Sequence, residues 1–119
     1  MDTLSIIIIA LIVLFSVSRL LPAKGVRQIT TAELKNELGD SNKQFIDVRT
    51  PGEFKANRIQ GFRNIPLQQL ALKTGELSKE REVVVICQSG MRSGKASKML
   101  KKSGFAKVTN VKGGMSAWS

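Results

Sequence analysis

Residues 83–93 read Val83-Val84-Val85-Ile86-Cys87-Gln88-Ser89-Gly90-Met91-Arg92-Ser93. Four β-branched apolar residues in a row predict a strand buried on both faces, as at the centre of a parallel sheet. Gln88, Ser89 and Gly90 predict a turn. Residues 93–103 predict a helix, with Ala96, Met99 and Leu100 on one side and Lys95, Lys98, Lys101 and Lys102 largely on the other. Gly104 is placed to end it. Cys87 therefore stands where a buried strand gives way to a loop and then a helix, and open α/β sheets bind ligands at the carboxyl ends of their strands.

The flanking sequence repeats the alternation. Upstream, Thr30 and Glu33 form a capping-box pattern for a helix that reaches Leu38 and stops at Gly39. Residues 45–48 predict a short apolar strand, and Pro51 suits the first turn of another helix. Residues 64–66 read as extended, and Leu67, Leu70 and Leu77 as a loose helical stretch. Downstream, residues 108–111 predict a last strand, and Gly113-Gly114 a turn into a short helix carrying Trp118. The pattern predicts an α/β fold with a mostly parallel central sheet flanked by helices.

The N-terminal stretch differs. Residues 3–18 hold no charge, Pro or Gly, and the apolar run counted to Leu21 is 19 residues long with Arg19 near its end. It predicts one transmembrane helix over residues 3–21. Asp2 and the lack of a small-x-small site argue against a cleaved signal peptide, and a helix lying in the interface would need a polar face. Arg19, Lys24 and Arg27 follow the run, which predicts a single-pass membrane protein with its domain in the cytoplasm. Residues 22–27 read as a linker and 28–119 as the folded domain.

Composition narrows the chemistry. One cysteine permits no intramolecular disulfide, and the absence of histidine excludes a Cys–His protease mechanism. With neither a histidine nor a cysteine pair, no zinc or iron–sulfur site is expected, and no cofactor. The net charge of +10 has three readings: a solvated surface, attraction to an anionic membrane leaflet, and nucleic-acid binding. The last ranks lowest, because Tyr is absent, aromatic residues are 5% and no nucleic-acid motif occurs.

Cys87 has two readings. It is a small buried apolar residue closing a strand, or it is a sulfur nucleophile. The second requires an anion cradle, which inward-pointing loop N–H groups and a helix start supply. A free thiol titrates near pH 8.5, and lowering that by two units takes about 2.7 kcal/mol. Helix N-termini and nearby cations act on this scale. Such a thiolate attacks an activated sulfur, becomes a persulfide, and passes the sulfur on to a second nucleophile in a ping-pong cycle. Arg92 either binds an anionic donor or makes a structural ion pair, with Glu53 the candidate partner.

Four segments carry a resemblance: Phe45-Ile46-Asp47-Val48-Arg49 with Pro51, Glu53 and Phe54; Arg58-Ile59 with Gly61, Phe62, Asn64, Ile65 and Pro66; the loop from Cys87 to Ser93; and Val111 with Gly113, Gly114, Ala117 and Trp118. In this order they resemble the rhodanese family, over residues 28–118. The resemblance implies a rhodanese-like fold and transfer of sulfane sulfur from thiosulfate or a persulfide to a thiol or other nucleophile. Cys87 would be the carrier. Gln88, Ser89, Gly90, Met91 and Arg92 would wrap the sulfur, supported by Asp47, Arg49, Glu53 and Ser93. The expected partners are a small anionic sulfur donor and a protein or low-molecular-weight thiol acceptor. Four residues separate Cys87 from Arg92, whereas related phosphatase-like loops carry five. This weighs against a phosphatase or arsenate reductase. A non-catalytic, membrane-tethered binding module is the other alternative. Arg58 and Phe62 depart from the family's usual residues, which bears on packing or an entrance surface rather than on chemistry.

Overall fold

The computed structural model describes residues 2–20 and 25–119. In chain order its elements are α1 (Thr3–Leu20), β1 (Val26–Ile29), α2 (Thr31–Glu37), β2 (Lys43–Asp47), α3 (Pro51–Ala56), β3 (Arg63–Asn64) and α4 (Leu67–Lys73), followed by β4 (Glu82–Ile86), α5 (Met91–Lys102) and β5 (Val108–Val111). Two 3-10 turns, Thr74–Glu76 and Gly114–Ala117, complete the set. The strands form one sheet in the order β1-β5-β4-β2-β3, parallel throughout.

The valine run forms β4, central in that order, and its apolar residues are fully buried. Because strand side chains alternate between faces, β4 feeds two cores. Val83 and Val85 join Ile46, Val108, Leu70 of α4 and Ala96 and Leu100 of α5. Val84 and Ile86 join Ile29, Phe45, Val111 and Leu34 of α2 on the other face. Phe62 belongs to this second core and meets Phe45 edge to face at 5.4 Å. Arg58 lies 5.0 Å from the centre of the Phe54 ring. Both departures from the family pattern therefore have a packing role.

Boundaries shift where caps decide them. The Thr30 capping box starts α2 as its sequence suggests. α5 begins two residues ahead of the expected position, because Gly90, at φ 105°, is its N-cap. The C-terminal turn stops before Trp118. β1 takes in Val26 and Arg27, which the sequence assigned to the linker, because they pair with Val108 and Thr109 of β5. Of the rest of that stretch Gly25 is described, at φ 82°, while residues 22–24, with Leu21, lie outside the described residues.

At the N-terminal ends of the strands, charge closes the sheet. Arg27 pairs with Glu37 and Glu82, and Lys43 bonds Glu37 at 2.6 Å. Two surface cavities, about 270 and 350 Å³, also lie at this end and share Lys43 in their linings.

The expectation of a transmembrane helix, and with it a single-pass protein holding its domain in the cytoplasm, is corrected. Among the described residues no helix is long and apolar enough to cross a membrane. α1 has 18 residues, and its charge-free part ends at Ser18. A spanning helix needs about 20 consecutive apolar residues to match a hydrocarbon core of about 30 Å. With Arg19 inside its last turn, α1 does not combine the length and the apolar character of a span.

Candidate functional site around Cys87

β4 delivers Cys87 to the carboxyl end of the sheet, and the chain then curls back under its own sulfur. Cys87 is fully buried. Its Sγ accepts the Gly90 N–H at 2.9 Å and lies 3.2 Å from Ser93 Oγ. Ser93 Oγ also reaches the Gly90 carbonyl at 3.2 Å. The hydroxyl has one proton and two acceptors in range, so it can follow the charge on the sulfur. The first N–H groups of a helix lack intrahelical acceptors, and those of α5 open at this loop.

The loop is held from outside as well. The Cys87 carbonyl accepts the Met115 N–H and the Gln88 carbonyl accepts the Ser116 N–H, both at 2.9 Å. Ser116 Oγ donates a second bond to the Gln88 carbonyl, and Gln88 Nε2 donates to Ser116 Oγ at 3.3 Å. This contact requires Gly114. A Cβ there would sit inside the Cys87 carbonyl oxygen and 2.9 Å from the carbonyl carbons of Cys87 and Gln88, on a backbone at φ 56°. Gly114→Ala is expected to lower the thermal midpoint by about 5–15 °C, from about 1–2 kcal/mol of backbone strain plus displacement of the loop. Calorimetry checks this, and an unchanged midpoint would refute the close approach.

Arg92 does not point freely into the loop. It forks onto Glu53, with Nη1 to Oε1 at 2.6 Å and Nη2 to Oε2 at 2.9 Å. The sequence had named this pair without being able to place it. Glu53 has a second task that the sequence also displayed, as the Thr50-x-x-Glu53 spacing. It closes a capping box on α3, accepting the Thr50 N–H at 3.0 Å. One carboxylate thus ties the start of α3 to the start of α5. The Arg92 guanidinium, and next the Thr50 N–H, hold the Glu53 carboxyl down to about 2 from the usual 4.5. Arg92 is raised in turn, chiefly by its hydrogen bonds to Glu53, against a smaller lowering from burial.

That shift has a sign. A carboxyl depressed in the folded state adds stability above its unfolded value, near pH 4.5, and loses it as pH falls towards 2. Glu53 is one-third exposed, so screening keeps the effect modest. Urea midpoints between pH 5 and 2 are expected to fall less steeply in Glu53→Gln than in the parent chain.

Beneath the loop lies a buried pair. Asp47, at the end of β2 and beside Ile86 in register, receives Arg49 Nε at 3.0 Å on both oxygens, Nη2 at 2.8 Å and the Arg49 N–H at 3.0 Å. Both side chains are almost fully buried. Arg49 also donates to the carbonyl of Glu53, midway along α3, and to that of Asn57, its C-cap. Asn64 Nδ2 bonds the carbonyls of Asp47 and Arg49, each at 2.9 Å. The structure therefore brings Cys87, Gln88, Gly90, Arg92, Ser93, Asp47, Arg49 and Glu53 into one connected region. Ser89 and Met91 belong to the same loop, with Met91 opening α5 and exposed. Gly114, Ser116 and Asn64 complete the region, and no site role had been expected for them.

Comparison with known proteins agrees with this architecture. Residues 30–119 match the model of the rhodanese-like domain. Among solved structures, a rhodanese-like domain protein from Staphylococcus aureus superposes with a TM-score of 0.73 at 35% identity, covering 79% of this chain and 92% of that one. The protein YqhL of Bacillus subtilis is 40% identical over 89 residues, 75% of this chain and 71% of its own. A protein of Allochromatium vinosum named sulfurtransferase is 33% identical over 95 residues, 79% and 89% of the two chains. On the match over residues 30–119 and these relatives, the chain belongs to the rhodanese-like domain family.

Proposed function

We propose that this chain is a sulfurtransferase that moves sulfane sulfur from a small anionic donor, thiosulfate or a persulfide, to a thiol or other nucleophile through a persulfide on Cys87. The observation that carries the reading is the cradle of the sulfur. Cys87 Sγ accepts a backbone N–H at 2.9 Å inside a loop leading into the start of a helix. Four residues separate Cys87 from Arg92, the spacing of sulfur transfer rather than of the larger phosphate loops. In the first step the Cys87 thiolate attacks the outer sulfur of thiosulfate. The donor S–S bond breaks, and sulfite leaves with its electron pair. In the second step the acceptor attacks the outer sulfur of the persulfide, and Cys87 returns as a thiolate. No base is required, because the thiolate carries no proton. The Gly90 N–H, the Ser93 hydroxyl and the open end of α5 receive the negative charge as it moves outward by one sulfur atom.

The test is direct. The chain incubated with thiosulfate and cyanide is expected to yield thiocyanate. Its intact mass without reductant is expected to rise by about 32 Da on Cys87. No turnover and no adduct with thiosulfate or an alkyl persulfide would remove the proposal.

A further inference from the structure

α5 carries an exposed stripe that the chemistry above does not use. Met91, Lys95, Lys98 and Lys102 are all exposed and follow one another at spacings of four, three and four. At 100° per residue they fall within an arc of about 60°, in a line about 16 Å long. The line starts at the mouth of the loop, because Met91 is the first residue of α5. Among the described residues none of the three lysines makes an ion pair. The surrounding sequence offers no carboxylate, since residues 87–119 hold seven Lys and Arg and no Asp or Glu. Met91 is 75% exposed and, among the described residues outside α1, shares that condition among the large apolar side chains only with Leu72 at 88%.

Resting on the sulfur-transfer reading, we propose that this stripe is the docking surface of an acidic protein whose thiol accepts sulfur from Cys87. A line of about 16 Å is longer than a small donor such as thiosulfate, so steering that donor does not account for its length. A single-stranded nucleic acid would be met by aromatic stacking, and the stripe has no aromatic residue. A flexible exposed methionine beside unpaired cations instead fits a protein surface, where Met supplies adaptable apolar contact and the charges set orientation. The docked thiol attacks the outer sulfur of the Cys87 persulfide. The S–S bond breaks towards Cys87, the acceptor becomes the persulfide, and its proton passes to solvent.

The experiment uses the full chain and a fluorescent synthetic peptide with glutamates at helical spacing and one terminal cysteine. A second peptide has lysines in place of the glutamates. Binding is read by anisotropy on Cys87→Ser protein, so it is independent of sulfur transfer. The acidic peptide is expected to bind, and Lys95→Glu, Lys98→Glu and Lys102→Glu together to weaken it about tenfold or more. The matched set Lys35→Glu, Lys79→Glu and Lys107→Glu is expected to change binding less than about twofold. Glutamine at the three stripe positions, which spares the end of α5 a negative charge, is expected to give a smaller loss in the same direction. In persulfide-loaded wild-type protein the stripe substitutions should slow transfer to the acidic peptide and leave transfer to dithiothreitol unchanged. Equal weakening by the two lysine sets overturns the docking proposal, as does tighter binding of a uridine oligonucleotide than of the acidic peptide. Failure to load sulfur at all would overturn the sulfurtransferase reading, while the anisotropy still reports on docking.

Discussion

Cys87→Ser is expected to reduce thiocyanate formation at least about 10³-fold, the scale on which loss of a nucleophile acts, and to abolish the mass gain of about 32 Da. Serine fits the same space and can accept the Gly90 N–H, so the fold is expected to persist with an unchanged urea midpoint. Reactivity does not persist. A hydroxyl is not ionised at neutral pH, and the chain has no histidine to take its proton. An oxygen nucleophile also cannot form a disulfide-type bond with the donor sulfur. Turnover retained in the serine variant would assign the transferable sulfur to another group and remove Cys87 from the cycle.

Asp47→Asn is expected to have the largest effect on stability. Arg49 is 2% exposed and its partner carboxylate is fully buried. Removing one member of a buried pair leaves an uncompensated charge and costs about 3–5 kcal/mol. The amide also turns a donor towards a guanidinium that only donates. The urea midpoint is expected to fall by about 1–3 M. Because Arg49 holds the carbonyls of Glu53 and of the α3 C-cap Asn57, and α3 holds Glu53 against Arg92, turnover should fall too, even where the variant remains folded. A midpoint within about 0.3 M of the parent would show that Arg49 finds compensation elsewhere.

The legible parts of this protein were local. β4 announced itself by four apolar β-branched residues, and the position and length of the loop could be counted from Cys87 to Arg92. The Thr30 cap was visible for the same reason, since its partners are three residues apart. Thr50 and Glu53 show that spacing too, so the cap on α3 was available and went unread. What sequence could not supply was contact across the fold. Glu53 and Arg92 lie 39 residues apart, and Gln88 and Ser116 lie 28 apart. Their meeting depends on strand order, which no local period encodes. Gly114 left the strongest trace of such a contact, as the second of two adjacent glycines, but its reason is the Cys87 carbonyl packed against it. The error at the N-terminus was of another kind. A run of apolar letters was taken for a span, and among the described residues no helix is long and apolar enough to be one.

The place of β4 between β5 and β2 has a consequence for how the site is lost. A strand paired on both sides, with four residues fully buried, exchanges its amide hydrogens only through the largest openings of a domain. The Cys87 sulfur directly follows that strand rather than sitting on a loop at the periphery. Partial opening of the edge strands β1 or β3 leaves Cys87 seated. The site and the native state therefore disappear together, so the denaturant dependence of activity should trace the global unfolding free energy of the chain.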